Sequence, residues 1–444
     1  MTPIDNTKYV NVLSRESATE MPVRGGIGGA VISVNGKTGV VELTAEDVGA
    51  MPLLKAIEGE LTIPYEKIAG YAACQNQYWL TSVNIPNAKS AFLSNTFLGC
   101  MNLEEIKGCD NLESGYLYRA FRDNSSLNTV PRFQNFVNPI ADTSDRGDYR
   151  GAFQETFYNC TSLKTLPSGM FPKLKMGHKL FYNAFAYSGL ETLPEDFLEN
   201  LDDSNIEDFY MNWGFFYGAF QYTKLRTLPP RLFGEMQYVP YQCFLNCFLN
   251  CNDLEEIPDT LFDNIIGWHE SDNDHGAGAF RAMFSQCISL SGSVVFRKLT
   301  RIGGTMFQQM FGGTKITSIS FPALTPDSFE YANSNSFLNM LAGVNGCTVH
   351  FPKIMESTMS GWATVTSGFG GTNTTVLFDI ITSISGNNDV LYQRKEKEST
   401  ETATAWENDG VLYYTAGNTE PVVGDAIYSD VDCTNEVTTI RMVI

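Results

Sequence analysis

The sequence predicts an α+β repeat solenoid, one short helix and one short strand per unit, between a small β-rich N-terminal anchor and an all-β C-terminal module. Three observations predict it. A phenylalanine recurs at Phe97, Phe121, Phe157, Phe185, Phe220, Phe248, Phe284 and Phe311, and a Leu or Ile closes the polar turn after each: Leu103, Leu127, Leu163, Leu190, Leu225, Leu254, Leu290 and Ile316. An apolar residue stands four before each anchor, as Phe153, Phe181, Phe216, Phe244, Phe280, Phe307, Leu93 and Leu117, a spacing that places both on one face of a helical turn. Three after the closing residue comes an aliphatic in seven repeats (Ile106, Val130, Leu166, Leu193, Leu228, Ile257 and Ile319), often followed by Pro, as a short strand ended by Pro would require.

Residues 1–75 form the leading region, expected to attach and oligomerise the chain. Two β-branched runs, Val31–Val34 and Val40–Leu43, flank Asn35-Gly36, the turn pair of a tight hairpin. Thr44 and Asp47 resemble a capping box opening a short helical turn that Gly49 closes. Residues 76–375 hold the solenoid. Its anchors are separated by 24, 36, 28, 35, 28, 36 and 27 residues, so short and long repeats alternate, and the extra residues form insertions near 134–151, 198–215 and 263–279. Residues 376–444 form the C-terminal module. Its segment from Arg394 to Thr404 has linker composition, and Asn408-Asp409-Gly410 between Trp406 and Val411–Tyr414 marks a second hairpin.

Charge narrows the function. With 30 basic and 50 acidic residues the chain carries −20, which repels nucleic-acid phosphates and anionic membrane surfaces. No run of about 20 apolar residues spans a membrane. The polar Met1–Asn11 lacks the pattern of a secretory signal, so the expected place of folding is a cytoplasm, with the ten Cys as reduced thiols.

The unit Phe157-Tyr158-Asn159-Cys160-Thr161-Ser162-Leu163-Lys164-Thr165-Leu166-Pro167 resembles the BspA-like leucine-rich repeat, as does Leu80–Pro86. The resemblance recurs in register over about 280 residues. It implies a curved solenoid of leucine-rich-repeat type, with a strand per unit, found in surface and adhesion proteins and in some proteins of bacterial viruses. The segment Val34-Asn35-Gly36-Lys37-Thr38-Gly39, continuing to Ala50, is similar to a motif near the start of phage fibre proteins, and Val422–Asp430 more weakly to C-terminal modules of phage structural proteins. Together these imply a bacteriophage virion fibre, on tail or head. Its expected partners are itself, as a homotrimer, other virion proteins through the N-terminal region, and a glycan or protein of the host surface. The competing readings are a bacterial cell-surface adhesin and a fibre-borne polysaccharide hydrolase.

Catalytic chemistry has no positive signal: no nucleophile elbow, phosphate loop or His-Glu-x-x-His occurs, and no carboxylate pair stands out. We therefore expect no enzyme, no cofactor and no metal. Two patterns bear on metal binding. Cys243, Cys247 and Cys251 share one face at four-residue spacing, but Cys251 holds the repeat position of Cys100, Cys160 and Cys287, which favours a ladder of small buried groups. His269, Asp272, Asp274 and His275 could surround a cation or simply form a solvated loop. Ligand contact is expected on the insertions, through a rim of Asp148, Tyr149, Asp208, Tyr210, Trp213, Trp268 and Asp272, in which aromatics stack on sugars and carboxylates accept from hydroxyls. The alternative is that these aromatics pack back onto the solenoid or against neighbouring subunits.

Overall fold

A computed structural model describes residues 11–13, 59–139, 150–198, 200–201, 203, 213–360 and 368–380, and backbone strands at 392–395, 399–408, 411–416 and 427–428. Two compact units divide the chain: Met1–Glu235 with Gln242–Glu255, and Met236–Tyr241 with Glu256–Ile444. The expected hairpin at 31–43, the helical turn at 44–49 and the attachment motif Val34–Gly39 lie outside the described residues.

Among the described residues each unit is built as a parallel β-solenoid and helix makes up 4%, so the expected helix in each repeat is absent. In the first unit, β1 (Asn11–Leu13), β3 (Lys67–Tyr71), β5 (Ser90–Ser94), β7 (Ser114–Tyr116) and β8 (Asn138–Pro139) pair in parallel as one sheet. Between them in sequence, β2 (Glu60–Thr62), β4 (Ser82–Asn84) and β6 (Glu105–Lys107) form a second. In the second unit β9 (Ser291–Val295), β10 (Lys315–Ser320), β11 (Thr348–Pro352) and β12 (Thr375–Ile380) form a third parallel sheet. Ile106 and Ile319 lie in such strands, whereas Leu166, Leu193, Leu228 and Ile257 lie in extended chain outside any strand. The tail is antiparallel: β13 (Tyr392–Lys395), β14 (Ser399–Asn408), β15 (Val411–Ala416) and β16 (Ile427–Tyr428), with Asn408 opposite Val411. Most of the 394–404 segment, expected as linker, belongs to β13 and β14.

The predicted helices are ladders of successive turns. In the coil around Phe157, Gln154, Thr156, Tyr158 and Cys160 donate their amides three residues back, to Gly151, Phe153, Glu155 and Phe157. The residues between them donate to the next coil: Phe153 to Leu180, Glu155 to Tyr182, Phe157 to Ala184 and Asn159 to Ala186, at 2.8–3.0 Å. A helix would have closed every amide within the segment, four residues back. The reason it does not form lies at the second residue before and after each anchor. These positions have positive φ: Asn95, Arg119, Glu155, Asn183, Gly218, Asn246, Ala282 and Gln309 before, and Gly99, Asp123, Asn159, Tyr187, Tyr222, Asn250, Gln286 and Gly313 after. A left-handed residue every fourth position breaks a right-handed helix and is what a type II turn requires at its third residue. Asn and Gly tolerate that geometry best. The four-residue apolar spacing therefore arises from four-residue turns.

Each ladder of turns faces the core with stacked rings. Phe97, Phe121, Phe157, Phe185, Phe220 and Phe248 stack consecutively at 5.4–5.9 Å, with interplanar angles of 2–16°. Phe153, Phe181, Phe216 and Phe244 form a second ladder at 5.3–5.7 Å. The second unit repeats the device with Phe284 on Phe311, and with Phe280, Phe307 and Phe337. Glycine is needed where coils approach most closely: a Cβ on Gly151 would sit 1.8 Å from the Lys179 carbonyl.

Phe157 and Leu163 are both fully buried. Phe157→Ala and Leu163→Ala should each lower stability by about 2–5 kcal/mol, the cost of a core cavity. Chemical unfolding of both variants checks this, and superimposable curves for parent and variants would refute the assigned register.

Candidate functional site

The turn ladders also present an outer surface, and in the first unit that surface is cationic and aromatic. Arg150 and Arg119 lie over the Tyr118 ring at 4.6 and 4.8 Å, and Arg122 over Tyr158 at 4.2 Å. The Tyr158 ring contacts Tyr187 at 5.3 Å, and Tyr187 stacks on Tyr222 at 4.4 Å and 9°. The groups thus form one unbroken strip with successive coils supplying successive rings. Beneath it Glu155, 8% exposed, receives Arg119 through Nε (2.9 Å) and Nη2 (3.2 Å) and Arg122 through Nη1. Arg122 Nε also reaches Asp123 (3.2 Å), whose other oxygen accepts from Asn159 Nδ2 (2.9 Å). In the same coils Tyr182 stacks on Tyr217 at 4.4 Å, beside Lys179 over Trp213 at 4.6 Å.

The backbone under the strip is unusual. Tyr187 and Tyr222 have φ of 59° and 58°, at the position other repeats fill with Gly, Asp, Asn or Gln. A side chain with Cβ in this region costs about 1–2 kcal/mol, while a stacked aromatic pair returns about 0.5–1.5 kcal/mol. The two rings remain 39% and 43% exposed, so core burial does not account for them. Their mutual stacking covers one face of each ring. Burial, then the Tyr222 and Tyr158 phenols, raise the Tyr187 phenol above its ordinary range.

The expected rim fares differently residue by residue. Asp148, Tyr149, Asp208 and Tyr210 lie outside the described residues. Trp213 is half-buried, at the foot of the first unit's surface, with its ring edge-on to His178 at 5.3 Å. Trp268, in the second unit, is half-buried and packs back: it meets His275 and Tyr331 edge-on at 4.8 and 5.0 Å, while Arg301 covers it at 5.3 Å. Arg301 also bonds the Trp268 carbonyl (3.1 Å) and Glu270 (3.1 Å). Asp272 is fully buried and staples its own loop, accepting from the amides of Asp274 (3.1 Å) and Gly276 (2.8 Å).

Nor does that loop assemble a cation site. His275 stacks on Tyr331 at 3.8 Å, and His269 pairs with Ser271 at 2.9 Å and meets Tyr238. Among the described residues no three metal-binding side chains converge. The cysteines form the expected inward ladder: nine described thiols are buried and outside any disulfide, and Cys160 and Cys251 donate to the carbonyls of Phe121 (3.2 Å) and Phe220 (3.1 Å) one coil away. Burial pushes the Cys100 thiol up to about 11.

Sequence reasoning missed Arg119, Arg122, Tyr187 and Tyr222, because it looked for ligand contacts on the insertions. The available signal was a Tyr two residues past the anchor, in a place of small or amide side chains.

Comparison with known proteins agrees with the repeat assignment. The family described as BspA type Leucine rich repeat region matches residues 60–144 and 215–342 in six copies, so these stretches are BspA-type leucine-rich repeats. A leucine rich cell surface protein of Faecalibacterium prausnitzii A2-165 is similar at 16% identity over 72% of this chain and 88% of its own, with a TM-score of 0.28. A leucine-rich repeat protein of Bacteroides ovatus ATCC 8483 is similar at 16% identity over 74% and 94%, with a TM-score of 0.17. At those scores neither structure carries a functional argument. No curated protein matches the chain.

Burial raises the Asp272 carboxyl above its ordinary range, against the pull of its two backbone amides. A raised acid destabilises the folded state as pH rises past the unfolded value of about 4. Asp272→Asn should therefore gain stability relative to the parent between pH 4 and 7. Urea unfolding at both pH values checks this, and a constant difference would refute it.

Proposed function

We propose that the chain is a non-covalent recognition protein of adhesin type, and that the cationic–aromatic strip of the first unit is its contact surface. The observation that carries this reading is the pair Tyr187 and Tyr222, exposed and held at positive φ. Costly backbone geometry around exposed rings is a feature that clusters at functional sites. The BspA-type repeats support a scaffold role, since stacked coils repeat surface groups at a fixed interval. The strip supports binding without catalysis, because its buried carboxylate, Glu155, is held by two guanidiniums and is poorly placed to move a proton.

A second reading places the same surface on a trimeric fibre of a bacteriophage virion, binding a host glycan or protein. The observation that favours it is the resemblance of Val34-Asn35-Gly36-Lys37-Thr38-Gly39 and its continuation to fibre proteins. Both readings use the strip in the same way and differ in what carries it.

Asn suits the left-handed region better than Tyr. The double variant Tyr187→Asn/Tyr222→Asn should fold with parental thermal stability and lose binding to bacterial cells at least tenfold in a pull-down titration. Parental binding by the folded variant would remove the strip from the recognition surface. For the fibre reading, light scattering should give a mass near three times 49.3 kDa, and a monomer would count against it.

A further inference from the structure

We infer that the ligand of the strip is a neutral glycan, held by one hexopyranose ring that stacks on the far face of Tyr222, where the next coil supplies no aromatic rung. This rests on the recognition reading above and adds the chemical class of the ligand and the point at which it is held. The first observation is where the tyrosine ladder ends. Tyr187 and Tyr222 occupy one repeat position, and their near-parallel rings at 4.4 Å cover one face of each. Tyr187 has a second ring neighbour in the preceding coil, Tyr158 at 5.3 Å. Tyr222 has none in the following coil: among the described residues Tyr187 is its one ring contact, and no cation lies over it.

The second observation is what stands in place of the next rung. The Tyr187 amide donates to the Gln221 carbonyl (2.9 Å), which sets Tyr222 over Tyr187. The Tyr222 amide donates in the same way to Leu249 (2.8 Å), which sets Asn250 over Tyr222. Both coils belong to the first unit. Asn250 has the same left-handed backbone as the two tyrosines, with φ of 58°. An Asn side chain shares Cβ and Cγ with a Tyr, and its two terminal atoms reach only as far as the ring's Cδ atoms. The outer part of the missing ring therefore has no counterpart over Tyr222, which is 43% exposed. The repeat register also brings Asn252 beside Lys224, both exposed.

The third step is chemical. A hexopyranose with equatorial hydroxyls turns axial C–H bonds toward an aromatic face and its hydroxyls toward polar groups at the edge. A carboxamide such as that of Asn250 offers those hydroxyls both a donor and an acceptor. A stacked protein side chain would gain most between two apolar walls, and Asn250 and Asn252 do not form the second. No cation stands over Tyr222 to select an acidic sugar, and a nucleic acid would meet a chain of −20.

The test is calorimetric titration of the full chain with β-linked oligomers of glucose and of galactose. Beside it, binding to bacterial cells is measured before and after periodate, which cleaves the vicinal diols of sugars. We expect at least one oligomer to bind with an affinity insensitive to salt, and periodate-treated cells to bind at least tenfold more weakly. Tyr222→Asn removes the platform. Asn250→Tyr completes the ladder at a position that already carries tyrosine in two coils, and fills the place of the sugar. Each variant should unfold thermally as the parent does and lose oligomer binding at least tenfold. If Asn250→Tyr fails to fold, Tyr222→Asn decides. Parental oligomer binding by either folded variant, no binding of either oligomer, or full binding to periodate-treated cells would overturn the glycan. If Tyr187→Asn/Tyr222→Asn still abolished cell binding in that last case, the recognition reading would stand with a protein as its ligand. Parental cell binding by that tyrosine variant would instead bring down the recognition reading itself.

Discussion

The alternation of amide partners along the turn ladders is the constraint from which the rest of this structure follows. Every second amide closes a turn within its own coil, and the others reach the neighbouring coil, as Phe153, Glu155, Phe157 and Asn159 do. Identical residues must then stand above one another at one coil spacing. Phenylalanines stack into ladders, thiols line up beneath carbonyls, and whatever points outward is repeated along the axis. The same register that builds the core builds the surface strip. A tyrosine placed two residues past one anchor meets a tyrosine placed there in the next coil, and the contact comes from the backbone with no further adjustment.

The repeats were fully legible because anchors such as Phe157 and Phe185 and closing residues such as Leu163 and Leu190 recur in phase. Their conformation was misread for a physical reason. Apolar residues four apart satisfy both a helix and a chain of four-residue turns, and periodicity alone does not separate them. What separates them is the residue between: Asn183, Gly218 and Asn246 sit midway between paired anchors, where a helix gains nothing from Asn or Gly. The buried cysteine ladder was legible because Cys100, Cys160, Cys251 and Cys287 share one repeat position. The strip was not, because it depends on which residues lie side by side in different coils. Arg122 and Glu155 are 33 positions apart and meet only when the coils stack.

Of the expected rim, Trp268 and Asp272 serve their own loop. An aromatic on an insertion finds ring partners nearby, here His275 and Tyr331, and a carboxylate finds the loop's own amides. Trp268 and Asp272 thus hold the third insertion down, whereas the turn ladders are already fixed by stacking.

The inward cysteines carry a consequence for where such a chain can work. Their thiols sit dry beneath the coils, and burial raises those of Cys100 and Cys347 to about 11 and about 12. Thiolate is the form that oxidants and disulfides attack, and these sites hold almost none. The described solenoid is stitched by contacts that neither glutathione nor air can cut or forge, so its cohesion should be the same in a reducing cell and in an oxidising medium.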